Sequence, residues 1–374
     1  MLLWISSGNI LSEFKRFFMK KTLFLLFILS SIKAHAQDVA KPLTFSGYME
    51  TYYSYDFGNP ASHERPSFFY SYNRHNEINL NLVFAKANYN TNQVRGNFAL
   101  MTGTYPQYNL TGEQALLKNV FEANAGVKMS KKYNLWLDVG IMPSHIGFES
   151  AIGKDCWNLT RSILGDNSPY YEAGIKLGYT SKNEKLYLAI MYLNGWQKIQ
   201  RAVGNQTPSF GTQVTYKPNA NTTLNWSTYI GNEQPYILKK WRYFNNLHGQ
   251  FQLTNKASLT AGFDMGVQQE SKGSRVYDVW YAPVLIARYS ATDKIRVAAR
   301  GEYYTDKGGV IIPTSTANGF QTYGYSLNVD YLPAQNVMLR VEGRGLTSKD
   351  HIFTSDGQPN NQNYFITTSI AMAF

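Results

Sequence analysis

The sequence predicts an all-β chain: a transmembrane, antiparallel, up-and-down β-barrel of about sixteen strands. Three observations predict it. Hydrophobic residues recur with a two-residue period, short and long connections alternate, and the composition is rich in aromatics and poor in charge. Charged residues make up 16% and aromatics 15% of the 374 residues. An ordinary soluble domain is roughly 25% charged. Only one short stretch near the start is continuously apolar, so a bundle of membrane helices is excluded.

The period is explicit along the chain. Leu259, Ala261, Phe263, Met265 and Val267 alternate with Thr260, Gly262, Asp264 and Gly266. Tyr323, Tyr325, Leu327, Val329 and Tyr331 alternate with Gly324, Ser326, Asn328 and Asp330. Leu135 to Ile141 behaves likewise, and Ile78, Leu80, Leu82 and Phe84 are expected on one apolar face. This is the strand period, with one apolar and one polar face. The segment Leu110–Phe121 is the main candidate for a short helix.

Seven connections read as short and polar, near residues 90–93, 130–133, 181–185, 217–222, 254–257, 291–294 and 332–336. Eight long ones alternate with them, at 57–75, 105–118, 146–169, 195–209, 232–243, 270–275, 305–319 and 347–361. Fifteen connections join sixteen strands, and the soft boundaries of individual strands leave fourteen or eighteen open. The alternation follows from an up-and-down sheet, whose successive connections lie at opposite ends; in a membrane barrel the periplasmic set stays short.

Residues 1–36 read as a segment to be removed. Met19-Lys20-Lys21 opens a basic region, Leu23–Ile32 is apolar, and Ala34-His35-Ala36 suits cleavage before Gln37. Translation starts either at Met1, with a long leader, or at Met19. One barrel domain, 37–374, is expected to remain, and its net charge falls from +11 to +7 once five Lys/Arg and one Glu are lost. No basic block points to nucleic acid. The single cysteine, Cys156, excludes an intramolecular disulfide and any zinc site built on several thiolates. No cofactor is implied.

The end of the chain is informative too. Tyr364, Ile366, Thr368, Ile370, Met372 and Phe374 share one face. An alternating last strand with a terminal Phe374 resembles the signature read by the barrel-insertion machinery, which makes that machinery and outer-membrane lipid the expected partners. Tyr and Trp near strand ends, among them Tyr48, Tyr52, Tyr53, Tyr170, Tyr171, Tyr243 and Tyr304, are expected in interfacial girdles.

Several strings resemble a known family: Tyr72-Asn73-Arg74-His75-Asn76-Glu77, Leu116-Leu117-Lys118-Asn119-Val120-Phe121-Glu122-Ala123, Ser144-His145-Ile146-Gly147-Phe148-Glu149-Ser150, Asp155-Cys156-Trp157 and Leu193-Asn194-Gly195-Trp196-Gln197. They resemble the OmpL-like putative β-barrel porin family over about residues 45–374. The resemblance implies a pore in the bacterial outer membrane, passing small hydrophilic solutes by passive diffusion, and no catalytic residues. Oligomeric state and solute stay open. The rival expectations are an outer-membrane hydrolase on a barrel and a plugged structural or adhesive barrel.

Candidate residues follow from burial cost. An Arg or Lys facing lipid at the midplane costs about 2–4 kcal/mol. Arg296, Arg300, Glu302, Asp330, Arg340, Glu342 and Arg344 therefore belong inside, as do Glu77, Arg95, Glu122, Lys128, Asp138, Glu172, Lys176 and Asp264. The four arginines either form a basic strip with weak anion preference or staple the wall. A hydrolase would need Ser144, His145 and Asp138, but adjacent Ser144 and His145 would point apart in a strand. The longest connection, 146–169, mixes apolar anchors with charges. It is expected to fold inward and constrict the lumen through Phe148, Glu149, Lys154, Asp155, Trp157 and Arg161.

Overall fold

The computed structural model describes residues 42–374. The expected targeting segment, residues 1–36, lies outside the described residues. Sixteen strands close into one antiparallel barrel. They are β1 (Leu43–Asp56), β2 (Ile78–Asn90), β3 (Val94–Thr102), β4 (Val120–Lys128), β5 (Asn134–Pro143), β6 (Tyr171–Thr180), β7 (Leu186–Leu193) and β8 (Ser209–Asn219). The second half adds β9 (Thr222–Asn232), β10 (Trp241–Gln252), β11 (Ala257–Gln269), β12 (Tyr277–Ser290), β13 (Ile295–Asp306), β14 (Phe320–Ala334), β15 (Val337–Ser348) and β18 (Gln362–Ala373). Two three-residue strands, β16 (Phe353–Ser355) and β17 (Gln358–Asn360), form a separate hairpin in the last long connection.

Neighbours in sequence are neighbours in the sheet, and β1 pairs with β18 to close the ring, so the barrel keeps no free edge. All fifteen connections fall where the alternation puts them. The seam is sealed at the chain end, where Phe374 N donates to Gly47 O (3.0 Å) and Gly47 N to Phe374 O (2.6 Å). The Phe374 ring lies where a Cβ on residue 47 would stand, which is why glycine sits there.

The two faces separate as the period predicts in β14. Tyr323, Tyr325, Leu327, Val329 and Tyr331 are 38–64% exposed toward lipid, while Ser326, Asn328 and Asp330 are buried inside. The β1–β2 pair departs from this. Glu50 faces Leu82 and Thr51 faces Leu80, so Asn81 is an extra residue. The bulge reverses the faces: Ile78 is 84% exposed, whereas Leu82 and Phe84 point inward and are buried. The expected single apolar face of β2 is therefore corrected to two half-faces.

The girdle expectation is corrected in the same way. Tyr53 and Tyr243 face outward, but Tyr48, Tyr52, Tyr170, Tyr171 and Tyr304 are buried inside. Strand neighbours point to opposite faces, so an aromatic doublet such as Tyr52-Tyr53 supplies one ring to each. The expected helix at 110–121 is also displaced. The helix is Thr104–Asn109, and Leu117–Asn119 is a single 3-10 turn. Pro106 suits a first helical turn, and Gly112 disfavours continuation.

Candidate functional site

The interior is dominated by the connection between β5 and β6, which runs inward along the barrel wall. Ser162 caps its one helical turn, Ile163–Asp166, by accepting from Gly165 N (2.9 Å). Ile146, Ile163 and Leu164 join the buried apolar cluster that contains Val284, Ile286 and Phe365, and Phe148 and Trp157 pack on it.

Backbone inside a barrel must find polar partners. Inward side chains of β10 to β15 supply them. Leu159 N donates to Asn328 Oδ1 (3.1 Å), Thr160 N to Glu342 Oε2 (2.6 Å) and Ile163 N to Glu302 Oε2 (2.6 Å). Gly147 N donates to Asn246 Oδ1 (3.2 Å), and Ser168 Oγ to Asp264 Oδ2 (2.7 Å). The carbonyls are held by arginines. Arg340 donates to Gly153 O (2.7 Å) and Cys156 O (3.0 Å), Arg300 to Thr160 O (2.7 Å), and Arg344 to Arg161 O (2.7 Å).

The same arginines pair with carboxylates on the wall. Arg300 lies 2.9 Å from Glu342 and 3.2 Å from Glu302; Arg344 is 2.5 Å from Glu302, and Arg340 is 2.7 Å from Asp330. All three arginine side chains have no exposed surface. They are inside the barrel and covered by the connection. Arg296, four residues before Arg300 and nearer the short connections, remains partly exposed.

Within the connection, Arg161 is itself buried and donates to Ser150 O (2.7 Å), Leu159 O (2.7 Å) and Ala151 O (3.1 Å). Glu149 accepts from Ser162 N (3.0 Å) and from Ser162 Oγ; burial pushes its carboxyl up against the opposing pull of Arg300. Burial pushes the Asp166 carboxyl up to about 7, although Arg161 and Arg344 pull it down. Cys156 is buried, and burial pushes its thiol up to about 11. Asp155 is exposed and Lys154 partly so, leaving them on the free side of the connection, whereas Trp157, also partly exposed, packs on the wall with Arg288 over its ring (4.4 Å).

The opposite wall is built differently. Arg95 donates to Asp138 (2.7 and 2.6 Å) and Lys86 to Glu122 (2.8 Å). Between them runs an amide ladder, with Asn88 to Asn97 at 2.6 Å and Asn97 to Asn124 at 3.0 Å. On β8 and β9, Gln213 and Thr215 both donate to Asn225 Oδ1 (3.0 and 2.6 Å). Lys128 is exposed, and Lys86, Arg95 and Lys176 are partly exposed. Glu77 sits just before β2, paired with Arg74 (2.8 Å), and lies off this wall.

The hydrolase constellation is not assembled. His145 Nε2 donates to the Thr228 carbonyl (2.9 Å), and Nδ1 meets Glu172 (2.7 Å). Burial lowers the His145 pKa, but the Glu172 carboxylate and the Thr228 carbonyl outweigh it, and the net shift is upward. Ser144 Oγ accepts from Ile146 N (3.1 Å), and Asp138 is bound to Arg95. His145 and Glu172 thus anchor the start of the inward connection. Glu50 was not foreseen: it is buried and accepts from Tyr72 OH (2.9 Å) and Asn81 Nδ2 (3.0 Å). Its isolated position in an aromatic strand gave only the generic cue that a carboxylate avoids lipid.

The family described as putative beta-barrel porin-2, OmpL-like, matches residues 42–374. No curated protein matches the sequence. Among solved structures, the fold is similar to the outer membrane channel DcaP of Acinetobacter baumannii (TM-score 0.60, 10% identity, 91% of this chain and 99% of that one). It is similar to an anion-selective porin from Comamonas acidovorans (TM-score 0.59, 12% identity, 89% and 99%). OprB of Pseudomonas putida is comparable (TM-score 0.59, 10% identity, 89% and 94%). At such identities the likeness concerns the fold.

Proposed function

The chain belongs to the OmpL-like β-barrel porin family of the outer membrane, and from that premise we propose a channel for small hydrophilic solutes whose bore is narrowed by residues 146–169. The observation that carries this reading is the double set of bonds from that connection to inward side chains: backbone N–H groups to Glu302, Asn328 and Glu342, and carbonyls to Arg300, Arg340 and Arg344. A segment held at both polarities on one wall leaves the aqueous path to the other wall. Along that path lie Arg95, Lys128, Lys176, Glu122 and Asp138, with Arg296 at the same end as Lys128. Lys86 and Arg95 are paired with acids, whereas Lys128, Lys176 and Arg296 make no salt bridge among the described residues. Their charge gives the pore a weak preference for anions.

Replacing Gly153–Leu164 by a short Gly/Ser linker tests the reading. Single-channel conductance in a planar bilayer rises and larger sugars pass. An inserted, folded variant with unchanged conductance and size limit overturns the constriction. A wild-type barrel with no conductance at all points to the plugged alternative.

A further inference from the structure

A second polar site lies at the outer mouth, next to the end of the inward connection, where Asn167 Nδ2 donates to the Phe68 carbonyl (3.2 Å). It is a cavity of about 410 Å³ between the first, seventh and eighth long connections. Its floor carries two buried, oppositely charged side chains, Arg65 and Asp56, at 0% and 1% exposure. The Arg65 guanidinium packs into a corner of two rings that meet edge to face, its Cζ 3.6 Å from the Phe365 centroid and 4.4 Å from that of Phe69, with the two centroids 5.4 Å apart. Nη1 donates to Tyr72 O (3.1 Å).

The other edge is unused. Nε and Nη2 have no hydrogen-bond partner among the described residues, and neither do Asp56 Oδ2 and Asn363 Oδ1. Arg65 Nε and Asp56 Oδ2 stand 4.0 Å apart, too far for a hydrogen bond. Asp56 Oδ1 is occupied by Gly58 N (2.8 Å) and Asn363 Nδ2 (2.7 Å), which fixes the carboxylate with Oδ2 free. Buried polar atoms without hydrogen bonds are costly, and four of them border one cavity, three from the loosely spaced Arg65–Asp56 ion pair and one from the Asn363 amide, which calls for a ligand with matching groups. The Nε–Nη2 edge is the bidentate edge that fits a carboxylate. Asp56 Oδ2 and Asn363 Oδ1 need donors carrying positive charge or N–H groups. Phe68, Phe320, Phe353 and Ile312 supply an apolar side to the same cavity.

We propose that this cavity binds the zwitterion of an α-amino acid with an apolar side chain, carboxylate on Arg65, ammonium on Asp56 and Asn363, side chain against the phenylalanines. The site goes beyond the channel reading, because binding at the mouth does not require conduction. It would concentrate such solutes at the entrance.

The test uses the full chain in detergent and isothermal titration calorimetry with three probes: L-phenylalanine, phenylalaninamide, which lacks the carboxylate, and N-acetylphenylalanine, which lacks the ammonium. Phenylalanine binds, and each analogue binds about tenfold or more weakly, as expected for loss of one charge-assisted contact. Arg65→Lys keeps the charge but lacks the paired edge, and weakens phenylalanine while leaving the heat-modifiable gel shift of the folded barrel intact. Wild-type protein that binds none of the three, or all three equally, overturns the proposal without any variant having to fold. Conductance measured in parallel keeps this result separate from the channel reading.

Discussion

Two walls of one barrel use the same residue types for different ends. On β13–β15, Arg300, Arg340 and Arg344 meet Glu302, Asp330 and Glu342 with no exposed arginine surface. On β3–β5, Arg95 meets Asp138 while 37% exposed. The difference is what lies on top. Backbone carbonyls of residues 153–161 cap the first set, whereas Arg95 is covered only by the Trp136 ring, 4.3 Å from its Cζ, and no backbone lies over it among the contacts of the described residues. Ion pairs under a cover are structural elements whose loss leaves a stranded charge; ion pairs facing water shape a field and add little stability.

Substitutions can break this contrast. The largest effect is expected at Arg340. Arg340→Ala strands Asp330 and frees the carbonyls of Gly153, Cys156 and Trp157, and should lower barrel stability by about 3–5 kcal/mol. The midpoint of thermal unfolding in detergent checks it. If Arg340→Ala also opens the pore, the connection is held chiefly there.

An intermediate effect is expected from pH. The Asp166 carboxyl is pushed up to about 7 by burial, from an ordinary value near 4. The folded state therefore holds the proton more tightly than the unfolded chain. Its stabilising contribution is complete below about pH 4 and is lost as pH rises through about 7. The melting midpoint should be higher at pH 5 than at pH 8, and Asp166→Asn should flatten that slope. His145 has the same sign, since its raised pKa favours the anchored form at lower pH, so the slope left in Asp166→Asn belongs partly to the His145–Glu172 contact.

The smallest stability effect is expected on the other wall. Arg95→Ala should cost no more than about 1 kcal/mol, as for a partly exposed pair. It should nevertheless shift the reversal potential in a salt gradient toward cations, because Asp138 is left unpaired beside the path. A large stability loss with no shift would reverse the roles assigned to the two walls.

Much of this was legible in the sequence, for physical reasons. Alternation and connection length follow from lipid on one side and turns at both ends, so every connection could be placed, while soft strand ends left the count open between fourteen and eighteen. The inward course of residues 146–169 could be anticipated because Ile163, Leu164 and Trp157 must be buried while Glu149 and Arg161 cannot face lipid. Which arginines would be covered could not be read. That depends on pairings such as Arg340 with Gly153, 187 residues apart, which no local pattern encodes. The β2 bulge at Asn81 was equally hidden, since one extra residue flips every later side chain. The hairpin β16–β17 carries a cue in Asp356-Gly357, whose positive φ angles of 49° and 77° suit a tight turn, but its three-residue strands are too short to show a period inside a long polar connection.

The two-wall account is tested most directly by cysteine accessibility during conductance. Cys156 is replaced by Ser, and single cysteines are placed at Asn97 on the open ladder or at Ser326, which is 6% exposed and accepts from Asn158 Nδ2 (3.1 Å). A small charged methanethiosulfonate is then added to the bilayer bath. The account predicts that Asn97→Cys channels lose conductance on modification while Ser326→Cys channels do not change. Modification of Ser326→Cys at a rate equal to Asn97→Cys, with an equal block, would contradict it.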